Sequence, residues 1–225
     1  EMCIRDSSNR QSEIIVKYWE KKTKIKTIYV RTDPGLTRQR NLGIQKSKGS
    51  VIAFFDDDVV LESSYLEHMT NCFRRFPDIG GATGYITNNP EKGKIKLAYQ
   101  RFFLLSGSGR KGKMLRSGFA AFLDPKYVNT MQPTEVLSGC NMFFRKEILD
   151  EYQFDEAFEG YSQMEDVEFS HRISKKNIML FVKGAMLIHN RSRSERLDIK
   201  RYFEMSVFNH YYIFKKNVKK SCIDW

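Results

Sequence analysis

The sequence predicts an α/β fold, and three observations carry that expectation. Helical and strand-like segments alternate through residues 1–90, the rhythm of a sheet built through right-handed helical crossovers. Val51–Phe55 (VIAFF) is an unbroken apolar run of strand length, as expected of a buried parallel strand. The chain has 225 residues, 41% hydrophobic and 13% aromatic, enough to bury one well-packed core.

The elements follow in order. Ser8-Asn9-Arg10-Gln11 fits a capping box, and Ile14, Ile15, Tyr18 and Trp19 come next at helical spacing. Residues 26–30 read as a short strand and Pro34-Gly35 as a turn. Thr37 is placed to cap a helix running to about Lys46. After VIAFF a helix opens at Ser63 or Ser64 and stops at Pro77. It carries Tyr65, Leu66, Met69, Phe73 and Phe76 on one face. Ile79–Ile86 is strand-like and glycine-rich. Residues 95–105 predict a helix, and 106–118 (SGSGRKGKMLRSG) a basic, glycine-rich loop. A Gly-Cys-Asn turn within 135–144 precedes a helix from about Arg145. Residues 166–176 predict a helix with Glu165-Asp166 at its start, followed by strands near 178–182 and 185–189. A long aromatic helix is expected over 195–216.

No internal repeat or long linker divides the chain. A single domain over 1–225 is expected, with one half at about 1–90 and another at about 91–225. The opening EMCIRDS lacks apolar strand character, whereas a fold of this kind begins with a buried strand. The expectation is therefore a fragment whose first strand is missing.

The formal charge of +11 implies an anionic partner: nucleic acid, a phosphate-bearing substrate or an acidic lipid surface. Cys3, Cys72, Cys140 and Cys222 are widely spaced and form no C-x-x-C pair, which argues against a zinc ribbon or disulfide framework and fits a reducing cytoplasm. No apolar run approaches bilayer-spanning length, and no signal-peptide pattern is present.

Asp56, Asp57 and Asp58 directly follow the VIAFF strand, and three adjacent carboxylates there need neutralisation. Alternation along an extended chain sends Asp56 and Asp58 to one side and Asp57 to the other. Carboxyl ends of parallel strands are where such sheets bind ligands, and two carboxylates on one side suit Mg2+ or Mn2+. The bland alternative is a solvated loop before the next helix. A second enzymatic alternative is a haloacid-dehalogenase-type phosphatase using Asp56 as nucleophile, but that motif usually ends the first strand of its domain. A non-enzymatic nucleic-acid-binding domain is a third. Against it, the basic charge is dispersed and the acidic trio repels phosphate.

Five segments, taken together, resemble family 2 glycosyltransferases of the GT-A fold, the type that builds bacterial polysaccharides and cell-surface glycans. They are GLTRQRNLG (35–43), FFDDDV (54–59), LSGCNMFFRKEIL (137–149), FDEAFEGYSQMEDVEFSHR (154–172) and LIHNRS (187–192), in family order. The resemblance implies a Rossmann-like, mixed, mostly parallel sheet flanked by helices. The first half would bind nucleotide and the second the acceptor.

It also implies an inverting transfer from a nucleotide-diphosphate sugar donor to a glycan or lipid-linked acceptor, with Mg2+ or Mn2+ and no nucleic acid. By the same resemblance Asp166 is the base, with Glu165 orienting the acceptor or the loop. Asp58, Asp56 and His189 would hold the metal. Asp6, Arg40, Asn41, Asp56, Asp57 and Arg193 would face the donor, and Gly139 and Asn141 would shape the acceptor pocket. Each has a structural reading beside it: acidic residues serve helix starts, a lone histidine often sits satisfied in a core, and Arg40 can hold a buried ion pair. Peripheral contact with the inner face of the cell membrane, through the basic loop and the last helix, completes the expectation.

Overall fold

The computed structural model of the protein describes residues 3–5, 11–23, 25–90, 98, 102, 112–115, 117–159, 162–191 and 199–217. Strands β1 (Cys3–Arg5) and β2 (Tyr29–Arg31) pair in parallel, with α1 (Gln11–Thr23) between them. The opening segment thus supplies a strand where none was expected. A ladder this short rests on backbone hydrogen bonds, which need no apolar pattern. Helix α1 forms over the predicted spacing, yet Ile14, Ile15, Tyr18 and Trp19 remain exposed.

Helix α2 (Leu36–Lys46) starts from Gly35, whose φ of 151° suits glycine. Thr37 is therefore not the cap. Its hydroxyl donates instead to the carbonyl of Phe158 at 3.3 Å. Next come β3 (Val51–Phe55), β4 (Val59–Leu61), α3 (Tyr65–Arg75), β5 (Ile79–Ile86) and the small β6 (Lys113–Met114) and β7 (Ala120–Ala121) pair. The chain continues through β8 (Met131–Pro133), β9 (Asn141–Arg145), α4 (Lys146–Glu151), α5 (Glu165–Ser174), β10 (Ile178–His189) and α6 (Ile199–Asn217).

The main sheet runs β3-β9-β5-β10-β4, with β8 also on β10. The expected mixed α/β class, a sheet flanked by helices, holds. Parallel pairing is the minority within it: β5 and β10 pair in parallel, and the other pairs of this sheet are antiparallel. The cause is β9, which returns between β3 and β5 and runs against both. VIAFF is correspondingly not a buried parallel strand. Among the described residues it pairs with β9 alone, and Ala53 and Phe55 are exposed. The two strands expected at 178–182 and 185–189 are one strand with a register shift between Val182 and Met186.

Both faces of the sheet are covered. Successive residues of β9 alternate between the two sides: Phe143 joins Tyr65, Met69, Phe73 and Leu187 under α3, while Met142 and Phe144 join Ile44, Leu149, Phe154 and Phe169 on the other face. The glycines of β5 follow from this packing. A Cβ on Gly84 would stand 2.5 Å from the Ala185 carbonyl oxygen and 2.7 Å from the Tyr65 ring.

Helix α6 is fastened to the segment before α5. Tyr212 donates its hydroxyl to Asp155 at 2.7 Å, and Asn209 donates to the Gln163 carbonyl at 2.7 Å. No described helix is long and apolar enough to cross a membrane. Cys72 and Cys140 are buried free thiols. Most of the helix expected at 95–105, all of the capping box but Gln11 and most of the basic loop lie outside the described residues.

Candidate active site

The acidic trio sits where the chain leaves β3, turns and enters β4. Antiparallel pairing of β4 with the end of β10 sets Val59 opposite His189, and this register brings the histidine to the aspartates. His189 Nε2 lies 3.0 Å from Asp58 Oδ1. Asn88 clamps the histidine backbone from both sides, accepting from its N–H and donating to its carbonyl at 3.0 Å each. The Asn190 N–H donates to the Asp58 carbonyl at 2.8 Å. One ligand atom from each of Asp56, Asp58 and His189 lies within 4.8 Å of the others, and all three side chains are partly exposed. Asp57 is exposed and stands outside this group. A turn produces the arrangement that strand alternation was expected to produce.

The residues fit a hard divalent cation. Two carboxylates and an imidazole are a suitable donor set, and small side-chain shifts would close them around an ion with bonds of about 2.1 Å. Asp58 Oδ1 is buried and accepts no hydrogen bond, despite the nearby imidazole. A buried carboxylate oxygen without a donor is costly, and a cation relieves that cost. Burial also raises the Asp56 carboxyl above its usual range, against the pull of Arg40 and His189.

The second acidic pair opens α5. The chain reaches it through Ser162 and Met164, both at positive φ (51° and 73°). For side chains other than glycine, such conformations cost on the order of 1–3 kcal/mol each. Glu165 is buried and accepts from Arg40 Nη1. Burial pushes its carboxyl up to about 8, and the Arg40 charge opposes that rise. Asp166 is partly exposed; its Oδ2 accepts from the Gly139 N–H at 2.7 Å and its Oδ1 from the Val167 N–H at 2.8 Å. Burial raises this carboxyl too, while the Gly139 N–H and Arg40 hold it down.

Arg40 joins the two acidic groups. Its Nη2 donates to the Gly139 carbonyl at 3.1 Å and stands 3.6 Å from Asp56 Oδ1. Asp166 accepts from the N–H of the same Gly139 whose carbonyl Arg40 holds. The metal-type cluster and the helix-start carboxylates therefore share one site.

Several expected contacts take another form. Arg40 and Asn41 were placed at the nucleotide, but both are buried and turned to the second half of the chain. Asn41 donates to the Phe154 carbonyl and to Glu156, each at 3.0 Å, and accepts from the Phe154 N–H at 2.8 Å. Thr37, Arg40 and Asn41 share one helical face, which explains their common direction. Asn141, expected at an acceptor pocket, is fully buried. Its Oδ1 accepts from Thr83 Oγ1 and from the Gly84 N–H, tying β9 to β5 beneath the site.

Gly139 does border the site. A Cβ there would lie 3.1 Å from Asp166 Oδ2 and 3.4 Å from Arg40 Nη2, so its backbone can approach both. Asp6 and Arg193 lie outside the described residues. Sequence reasoning missed β4 and Asn88. The apolar Val59-Val60-Leu61 was the available signal for the strand; Asn88, in an Asn-Asn-Pro turn, carried none.

Comparison with known proteins agrees with the fold. The glycosyl transferase family 2 profile matches residues 2–153, more than half of the chain. No curated protein sequence matches. Solved structures share the fold. GalNAc-T7 with UDP, GalNAc and Mn2+ aligns at TM-score 0.62 and 18% identity, over 84% of this chain and 37% of its own. The mannosyltransferase PcManGT from Pyrobaculum calidifontis, in complex with GDP-Man and Mn2+, aligns at 0.62 and 11% identity, over 98% of this chain and 56% of its own. TarS 1–349 from S. aureus aligns at 0.60 and 13%, over 98% and 57%. The chain thus spans roughly a third to just over half of these proteins. Family membership also leaves the phosphatase reading of Asp56 and Asp58 without support. A profile match over residues 2–153, on a fold shared with GT-A glycosyltransferases, makes this chain a member of glycosyl transferase family 2.

Proposed function

We propose that the chain is the catalytic domain of an inverting glycosyltransferase, moving a sugar from a nucleoside diphosphate to a hydroxyl of a glycan or lipid-linked acceptor. One observation carries the reading most of the way: Asp56, Asp58 and His189 converge within 4.8 Å, and Asp166 stands in the same site. The relatives bound to UDP or GDP-Man with Mn2+ support the donor class, as does the basic charge of the chain.

Asp56, Asp58 and His189 would hold Mg2+ or Mn2+, whose charge neutralises the departing diphosphate, help worth several kcal/mol. Asp166 takes the proton from the acceptor hydroxyl as its oxygen bonds to the anomeric carbon. The bond from that carbon to the diphosphate oxygen breaks on the opposite side, which inverts the centre. A carboxyl raised by burial is better matched to this task near neutral pH than an ordinary aspartate. Glu165 stays paired with Arg40 and fixes the start of α5. Gly139, whose N–H holds Asp166, leaves backbone room beside the base for an acceptor. The exposed aromatic face of α6 and its lysines suit contact with an anionic membrane carrying a lipid-linked acceptor.

Calorimetry with UDP and GDP, with Mn2+ and with EDTA, tests the reading. Metal-dependent binding of one nucleotide is expected. Oligonucleotide binding indifferent to EDTA, with no binding of either nucleotide, would sink it.

A further inference from the structure

Arg40 has more partners in this site than any role at the nucleotide requires. It is 8% exposed, and Phe154 lies under its guanidinium at 5.3 Å. One terminal nitrogen goes to Glu165 and the other to the Gly139 carbonyl, with Asp56 Oδ1 at 3.6 Å from the latter. The Gly139 peptide is consequently gripped at both ends: Arg40 holds its carbonyl, and Asp166 Oδ2 takes its N–H at 2.7 Å. Glu165, the next residue in the chain to Asp166, is held by the same guanidinium. A planar fork can serve two acceptors at fixed angles, which an ammonium cannot.

We propose that Arg40 is the positioning residue for Asp166, orienting that carboxylate through the Gly139 peptide and through Glu165, and that it makes no contact with the nucleotide. The assignment of Asp166 as base rests on the function proposed above; the orienting linkage does not. With an occupied metal cluster, Asp56 would be drawn toward the ion, leaving Arg40 to Glu165 and Gly139.

The test uses Arg40→Lys, Arg40→Met and the double variant Arg40→Met/Glu165→Gln. The double variant removes the carboxylate that Arg40→Met would strand, since taking out both members of a buried pair is far milder than taking out one. Hydrogen exchange at the Gly139 amide, measured without any ligand, should quicken about tenfold in each folded variant. Transfer should fall about 100-fold in kcat, the cost of a misaligned group, with donor KM and Mn2+-dependent nucleotide affinity within about threefold of wild type. Arg40→Lys should recover less than a tenth of the lost rate.

Unchanged Gly139 exchange in a folded variant would overturn the proposal. So would lost nucleotide affinity at unchanged kcat, which would assign Arg40 to the donor. Should the wild type bind no nucleotide and transfer no sugar, the functional reading fails, while the exchange measurement still decides the role of Arg40.

Discussion

Asp56 and Asp58, where the chain leaves β3, face a partly exposed imidazole; Glu165 and Asp166, at the head of α5, face a buried guanidinium. Both groups gather carboxylates in the same site, yet their needs differ. The first keeps a buried Asp58 oxygen with no hydrogen-bond donor. The second satisfies its acids from within: Arg40 serves Glu165, and two backbone N–H groups serve Asp166. One cluster leaves an acceptor that an external cation could satisfy, and the other is satisfied already. In the function proposed above, the same division would separate holding a diphosphate from moving a proton.

The most demanding test of this contrast is Asp166→Asn, which keeps the shape and one of the two accepting oxygens but removes the proposed base. Transfer should fall by about a thousandfold, within the usual span for general-base catalysis. Mn2+-dependent nucleotide affinity should change less than threefold. Single-turnover kinetics beside calorimetry separate the two, and a joint loss of rate and affinity would merge the clusters into one. Asp58→Ala probes the other side. At Mn2+ near 100 times its dissociation constant, the wild type should gain about 2.7 kcal/mol of stability, and the variant almost none. Thermal melts with and without Mn2+ measure this, and an equal gain in both proteins would remove Asp58 from the metal site.

Much of this site was legible in the sequence because its chemistry lies in short runs. Asp56-Asp57-Asp58 after an apolar strand, and Glu165-Asp166 before an apolar helix, are local patterns. Their meeting is not local. Only the β4–β10 register brings His189 to Asp58, and it depends on a three-residue strand too short for periodicity to reveal. Arg40 and Asn41 show the limit most plainly. Their types suggest ligand contacts, but their burial against Phe154 and Glu165 is set by residues more than a hundred positions away. The direction of β9 likewise could not be read from its composition, so VIAFF passed for a parallel strand.

The internal pairing of the second cluster predicts a pH response that the first should not modify. Glu165 has its carboxyl raised by burial to about 8, so the folded protein keeps a proton there that the unfolded chain, near 4.5, has released. Fewer protons on the unfolded state mean that stability falls as pH rises through this window. Relative to Glu165→Gln, the wild type should therefore lose stability between about pH 5 and 8, by up to about 3 kcal/mol. The loss should be the same with and without Mn2+. Urea melts at three pH values check it, and a slope that Mn2+ abolishes would tie Glu165 to the metal cluster.

The smallest effect concerns how far the self-sufficiency of the second cluster extends. Helix α6 reaches the segment before α5 through Lys216, which pairs with Asp155 and, at 3.1 Å, with the buried Glu168. Glu168 also has both oxygens on Arg172, at 2.9 and 3.2 Å. Lys216→Met therefore leaves that acid partnered, and the loss should be about 1 kcal/mol in a urea melt. Transfer should change less than threefold, because Arg40 and Gly139 hold Asp166 without help from α6. A fall in kcat approaching that of Asp166→Asn would mean that α6, and not the guanidinium, fixes the base.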